Sequence, residues 1–180
     1  MKNGAFLATE VAAVTLSGNM AMSVSALDIP NGTTDYYEVA GILVTGDDIN
    51  NAGLFFRHEY RLEPRATSLR LTTTVRNRSK RHVGAYALGD ALQWGKAEHF
   101  IAGTGFDIGG QRPKIDWIAG LAEKVSYGLT RGAATHMTAV SGSSWTDVIH
   151  DVVDLAPGDE AKYERFFAVG NGDTSTLYDE

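Results

Sequence analysis

The chain has 180 residues, 43% hydrophobic and 21% charged, enough apolar material for one sizeable core and too much for a disordered tail. Sixteen Lys and Arg against 22 Asp and Glu leave a formal charge of -6, which argues against a nucleic-acid partner, since such a surface must displace counterions from phosphates. Cysteine is absent, which excludes disulfides, thiolate zinc sites, iron–sulfur clusters and a cysteine nucleophile, and no apolar run of about 18 residues marks a membrane-spanning helix.

At the amino end, Lys2, Ala5-Phe6-Leu7-Ala8 and the small residues through Val24-Ser25-Ala26 supply some parts of a secretory signal. Glu10 stands inside the would-be apolar stretch and Gly18-Asn19 interrupts it, so the pattern favours strands at Val11 to Leu16 and Met20 to Ala26, joined by Ser17-Gly18-Asn19. Further along, Phe56, His58, Tyr60 and Leu62 share one face before Glu63-Pro64-Arg65, where proline cannot donate to a ladder. Ser68 to Arg76 alternates most regularly: Leu69, Leu71, Thr73 and Val75 point one way, and Arg70, Thr72, Thr74 and Arg76 the other. Asn77-Arg78-Ser79-Lys80 then supplies turn chemistry.

Trp117, Leu121 and Val125 fit one face of a helix, but Gly120 in its middle would cost about 1 kcal/mol. Alternation of Val125, Tyr127 and Leu129 favours two strands instead, Lys114 to Ala119 and Lys124 to Leu129. Val148 to Leu155, the turn Ala156-Pro157-Gly158-Asp159 and Lys162 to Val169 predict a β-hairpin. Twenty glycines, short strands and almost no long helical period point to an all-β fold, an antiparallel β-sandwich with few or no helices.

Half of the basic residues, eight of 16, fall between Arg57 and His82 beside only two acids. Arginine alternating with threonine is the pattern of a solvated strand face that discourages edge pairing. The competing reading is a basic strip that meets an acidic partner or an anionic sugar.

Most catalytic signatures fail on spacing. Gly89 to Lys96 has five residues between its glycines where a phosphate loop has four, and Ala97 stands where a metal-binding hydroxyl is needed. Gly103-Thr104-Gly105 with Gly109-Gly110 misses the dinucleotide spacing, and no Gly-x-Ser-x-Gly elbow is present. The five histidines are scattered, so neither a metal set nor a cofactor is legible. The most suggestive segment is Gly89 to Gly110, which gathers Asp90, Gln93, Trp94, Glu98, His99 and Asp107 among glycines. A loop of this composition is suited to carbohydrate, with Trp94 as a stacking platform and Asp90, Glu98, His99 and Asp107 as hydroxyl partners. The plain alternative makes Trp94 a core plug and Asp90 a turn cap. An enzyme of the sugar-epimerase type would use Glu98 or Asp107 as base and His99 as acid. Glu98 and His99 are adjacent, however, and would face opposite sides of a strand.

The order Tyr60-Arg61-Leu62-Glu63-Pro64, Leu69 to Val75, then Asn77-Arg78-Ser79 resembles the middle strands of galactose-mutarotase-like supersandwich domains. Two further stretches are similar to a divergent, non-catalytic branch of that family: Leu88-Gly89-Asp90 to Trp94-Gly95, and Leu155 to Asp159 followed by Arg165 to Asp173. That branch occurs in large bacterial secreted proteins, some with a CehA/McbA-type metallohydrolase domain. The resemblance covers residues 50 to 175 and implies a supersandwich, an extracytoplasmic setting and an accessory role. Mutarotases use a His acid and a Glu base, the His within an Asn-His motif. Here Tyr86-Ala87-Leu88-Gly89-Asp90 holds no histidine, so no catalytic residue carries over. The expectation is one sandwich domain over residues 1–180, standing alone or as a piece of a larger multidomain protein. Its expected role is as a non-catalytic module that meets a neighbouring protein domain or a carbohydrate.

Overall fold

The computed structural model describes residues 20–26, 40–48, 50–63, 65–94, 97–106, 110–143 and 146–177. Among the described residues, alternating inward and outward positions produce thirteen strands: β1 (Met20–Ala26), β2 (Ala40–Asp48), β3 (Leu54–Leu62), β4 (Ser68–Asn77), β5 (Val83–Gln93), β6 (Glu98–Ile101), β7 (Gly105–Phe106), β8 (Gly110–Pro113), β9 (Trp117–Leu121), β10 (Ser126–Arg131), β11 (Thr138–Ser143), β12 (Thr146–Leu155) and β13 (Glu160–Gly170). One short 3-10 turn follows at Ser175–Leu177. Every pairing is antiparallel. The larger sheet has nine strands in the order β1-β2-β3-β4-β13-β10-β9-β6-β7, and the smaller has four, β5-β12-β11-β8.

The two sheets bury their apolar faces against each other, as sandwich layers must. Val44, Leu54, Phe56, Val75, Ile118 and Leu129 come from the larger sheet, and Leu88, Ala139, Ile149 and Leu155 from the smaller. The predicted strand at Met20 to Ala26 is β1, and the one at Ser68 to Arg76 is β4, with Thr73 and Val75 buried and Arg76 exposed. The predicted pair around Gly120 is β9 and β10. The glycine is required there: a methyl group on Gly120 would overlap the Trp94 ring, which lies directly on its backbone. The strand predicted at Val11 to Leu16 and its linker lie outside the described residues.

Two expectations need correction. Gly89 to Gly110 is not an irregular loop but the end of β5, all of β6 and β7, and the first residue of β8. The predicted hairpin at Pro157-Gly158 is an arch between sheets: β12 pairs with β5 and β11, while β13 pairs with β4 and β10. The turn itself forms as expected, with Asp159 N donating to Ala156 O at 3.0 Å and Gly158 at φ +90°. The strands leaving it face each other across the core, so their hydrogen-bonding edges turn to different neighbours.

Asn77 holds this arch. Its Nδ2 donates to Leu155 O at 3.0 Å and Arg81 O at 2.7 Å, and its Oδ1 accepts from Ser79 N at 3.0 Å and Ser79 Oγ at 2.7 Å. Its backbone N donates to Asp159 O and its carbonyl accepts from Gly158 N. The side chain is completely buried, at 0% exposure, with both donors and both acceptors used. Replacing it by Leu, similar in size but unable to bond, strands buried backbone groups at two turns. Urea unfolding of Asn77→Leu is expected to show a loss on the order of 3 kcal/mol; a loss below about 1 kcal/mol would remove Asn77 from this role.

Candidate functional site

At the centre of the larger sheet, polar side chains share the inward face with apolar ones. On β13 the inward positions are Ala161, Tyr163, Arg165 and Phe167, opposite Val75, Thr73, Leu71 and Leu69 of β4. On β3 they include Phe56, His58 and Tyr60, with His58 opposite Thr73. Alternation thus carries a cation, a hydroxyl and an imidazole into the interior together.

Arg165 is 3% exposed and grips a carboxylate of the other sheet with both arms. Its Nε donates to Asp90 Oδ2 at 2.8 Å and its Nη2 to Asp90 Oδ1 at 2.5 Å, the fork-to-fork geometry in which arginine binds carboxylates most strongly. Nη1 donates to Thr73 Oγ1 at 2.7 Å, and Thr73 Oγ1 lies 2.8 Å from His58 Nδ1. The guanidinium also sits over the Tyr163 ring, 4.9 Å from its centre. His58 stacks on Phe56 with ring centres 5.8 Å apart. Burial, and then the Arg165 charge, pull the His58 pKa down to about 4, so the ring is neutral at physiological pH. Burial raises the phenols of Tyr60 and Tyr163, and the Tyr163 hydroxyl is shut in with no hydrogen-bond partner.

Chemically this constellation is a clamp. Both oxygens of Asp90 are committed to Arg165, and the neutral imidazole bonds a threonine hydroxyl. A second polar tie joins the sheets where Tyr86 OH of β5 donates to Asp48 Oδ2 of β2 at 3.0 Å. Burial works to raise the Asp48 pKa, but hydrogen bonds from Asn51, Asn50 and Tyr86 outweigh it and hold the carboxyl below its usual value.

The residues singled out from sequence are dispersed. Asp90 faces inward to Arg165. Trp94 is 8% exposed and pressed on Gly120, which corrects its assignment as a stacking platform: the ring is core, because the glycine opposite leaves room for it there. His99 is 6% exposed and meets the Trp94 ring edge-on at 6.3 Å. Glu98, its neighbour on β6, is exposed, as alternation requires. Asp107 lies outside the described residues. The structure therefore joins Trp94 to His99, turns Glu98 to the other face of β6 and commits Asp90 to Arg165. Arg165, Thr73 and His58 were not singled out, although each occupies an inward position on an otherwise apolar strand face, and that is the signal that marks them.

The basic strip is a solvated face laced with ion pairs: Arg57 to Glu59 at 3.2 Å, Arg61 to Glu63 at 2.7 Å and Arg70 to Glu164 at 2.6 Å. Among the described residues no group of three or more His, Asp or Glu is placed to hold a metal ion, and no helix is long and apolar enough to cross a membrane.

The fold is an antiparallel β-sandwich of the kind that solved α-galactosidase structures contain. The GH36 α-galactosidase AgaA from Geobacillus stearothermophilus superposes with a TM-score of 0.53 at 11% identity, over 87% of this chain and 28% of its own. The α-galactosidase from Lactobacillus brevis gives 0.52 at 11% identity, over 87% and 27%. A TPR-domain containing protein from Parabacteroides distasonis gives 0.55 at 11% identity, over 88% and 39%. At this identity the likeness is one of fold, and this chain spans less than a third of either α-galactosidase. No family model and no curated protein sequence matches it.

Two measurements check the clamp. Asp90→Leu leaves a buried guanidinium unpaired and is expected to cost about 3–5 kcal/mol in urea unfolding, most of it regained in Asp90→Leu/Arg165→Met. A double variant no better than the single one refutes that account. The second is a pH dependence. A folded-state value for His58 below the unfolded one means that the unfolded chain takes up the proton first, so stability present above pH 6.5 is lost as pH falls toward 4. Unfolding free energy should drop by about 2 kcal/mol more between pH 7 and 5 in the native chain than in His58→Gln. Asp48 and Glu164, both held below their usual values, titrate beneath this window. Equal slopes in the two proteins would mean that His58 is not held neutral.

Proposed function

We propose that the chain is a non-catalytic β-sandwich accessory domain acting within a carbohydrate-active protein. The observation that carries this reading is the use made of the interior polar groups. Asp90, which reaches His58 through Arg165 and Thr73, gives both oxygens to Arg165, and His58 is turned to Thr73. General acid–base catalysis needs such groups aimed at a substrate proton, and here they are aimed at one another. The setting comes from the fold likeness: a sandwich of this kind makes up 28% of the AgaA α-galactosidase chain, where it is one part of a longer polypeptide. Sugar stacking on Trp94 does not belong to this reading, because the ring is packed on Gly120.

The purified chain should unfold in a single cooperative transition. It should neither release p-nitrophenol from an aryl α-galactoside nor speed the mutarotation of galactose in a polarimeter. Saturable turnover in either assay that is lost in Asp90→Asn would overturn the proposal.

A further inference from the structure

The outward face of β3, β4 and β13 carries a polar trough that the interior clamp does not involve. Strand register sets its residues in three rows. Arg61, Arg70 and Phe166 form the first, Glu59, Thr72 and Glu164 the second, and Arg57, Thr74 and Lys162 the third. The central strand bears the short side chains, so Thr72 and Thr74 form a floor between longer charged walls. The resulting depression is about 170 Å³, lined by Glu59, Arg61, Arg70, Thr72, Thr74 and Lys162.

Its charges are not fully matched. Arg61 stands directly opposite Arg70, a juxtaposition that costs energy in an antiparallel pair. Arg70 is pinned by Glu164, its Nε at 3.0 Å and Nη2 at 2.6 Å from Oε2, and Lys162 shares that oxygen at 3.0 Å. Arg61 is held less firmly: its Nε lies 2.7 Å from Glu63 Oε1 but out of line for a hydrogen bond. With Glu63 counted, Arg57, Arg61, Arg70 and Lys162 face Glu59, Glu63 and Glu164, which leaves one cation in excess on a protein whose formal charge is -6.

We infer that this trough binds one acidic monosaccharide unit, a hexuronate, through its carboxylate and ring hydroxyls. The facing guanidiniums of Arg61 and Arg70 offer planar donors for a carboxylate. Thr72, Thr74 and Glu59 offer the mixed donors and acceptors that hydroxyls need, and the volume suits a single sugar ring. The two glutamates that flank Thr72 repel a phosphate dianion or a polyanion more strongly than the single charge of a carboxylate. The inference is independent of the accessory-domain reading, since binding without turnover leaves that reading intact and absence of binding removes only this one.

The test is calorimetric titration of the whole chain with galacturonate, galactose and inorganic phosphate at fixed ionic strength. Galacturonate is expected to bind, and Arg61→Gln and Thr72→Val each to weaken it about tenfold, the loss of one charged or well-placed hydrogen bond. Both side chains lie on the solvent face, so an unchanged melting temperature shows that the fold is kept. Galactose binding as tightly as galacturonate, phosphate binding as tightly, or no heat from galacturonate up to tens of millimolar each overturns the inference.

Discussion

Arg165 carries a full charge where 3% of it meets solvent, and that charge has to be answered from across the gap between the sheets. Apolar layers alone would tolerate sliding by two residues along a strand, since the same alternation recurs at every such step. A bidentate pair does not tolerate it, because a shift of one repeat leaves a guanidinium and a carboxylate each buried without a partner. The Asp90–Arg165 contact therefore fixes where β5 crosses β13, and with it the stacking of the whole smaller sheet. Tyr86 to Asp48 fixes β5 over β2, and Asn77 fixes the end of β12 to the end of β4. Three polar ties, spaced across an apolar interface, give the sandwich one alignment.

How much of this the sequence discloses depends on the range of the interaction. Alternation is local, so the all-β class, β1 and the extent of β4 are legible residue by residue. The turn at Pro157-Gly158 is local too, but whether its two strands bond each other or separate sheets is decided by distant neighbours, and the expected hairpin is an arch. Trp94 illustrates the same limit. A tryptophan among glycines and carboxylates suits an exposed sugar platform until Gly120, on another strand, is found beneath its ring. The clamp was half legible. Asp90 draws attention for the company it keeps in sequence, whereas Arg165 sits between Tyr163 and Phe167 on a face whose period alone reveals that it points inward.

The two faces of the larger sheet divide the polar residues by task. Inward ones are few, and the charged one, Arg165, is tied to the opposite sheet through Asp90. Outward ones are many and paired with near neighbours, as Arg57 with Glu59 and Lys162 with Glu164. Pairs of the second kind add little stability, so their composition is free to answer to ligands. The likeness to α-galactosidase sandwiches at 11% identity fits this division, since layers and alternation persist where individual surface side chains do not.

The place of β13 has a bearing on how the protein is made. Strands β1 to β4 follow one another as a meander and can pair as soon as each is complete, but the remaining edge of β4 is closed by β13, the last of the described strands. During synthesis that edge stands open while everything from β5 to β12 emerges, the long-range pairing that makes β-proteins slow to fold and open to misassociation. Arg70 and Arg76, spaced along β4, place repelling charge on the unfinished edge. Charge beside an open strand edge discourages pairing with other chains, and β4 carries it through the interval before β13 arrives.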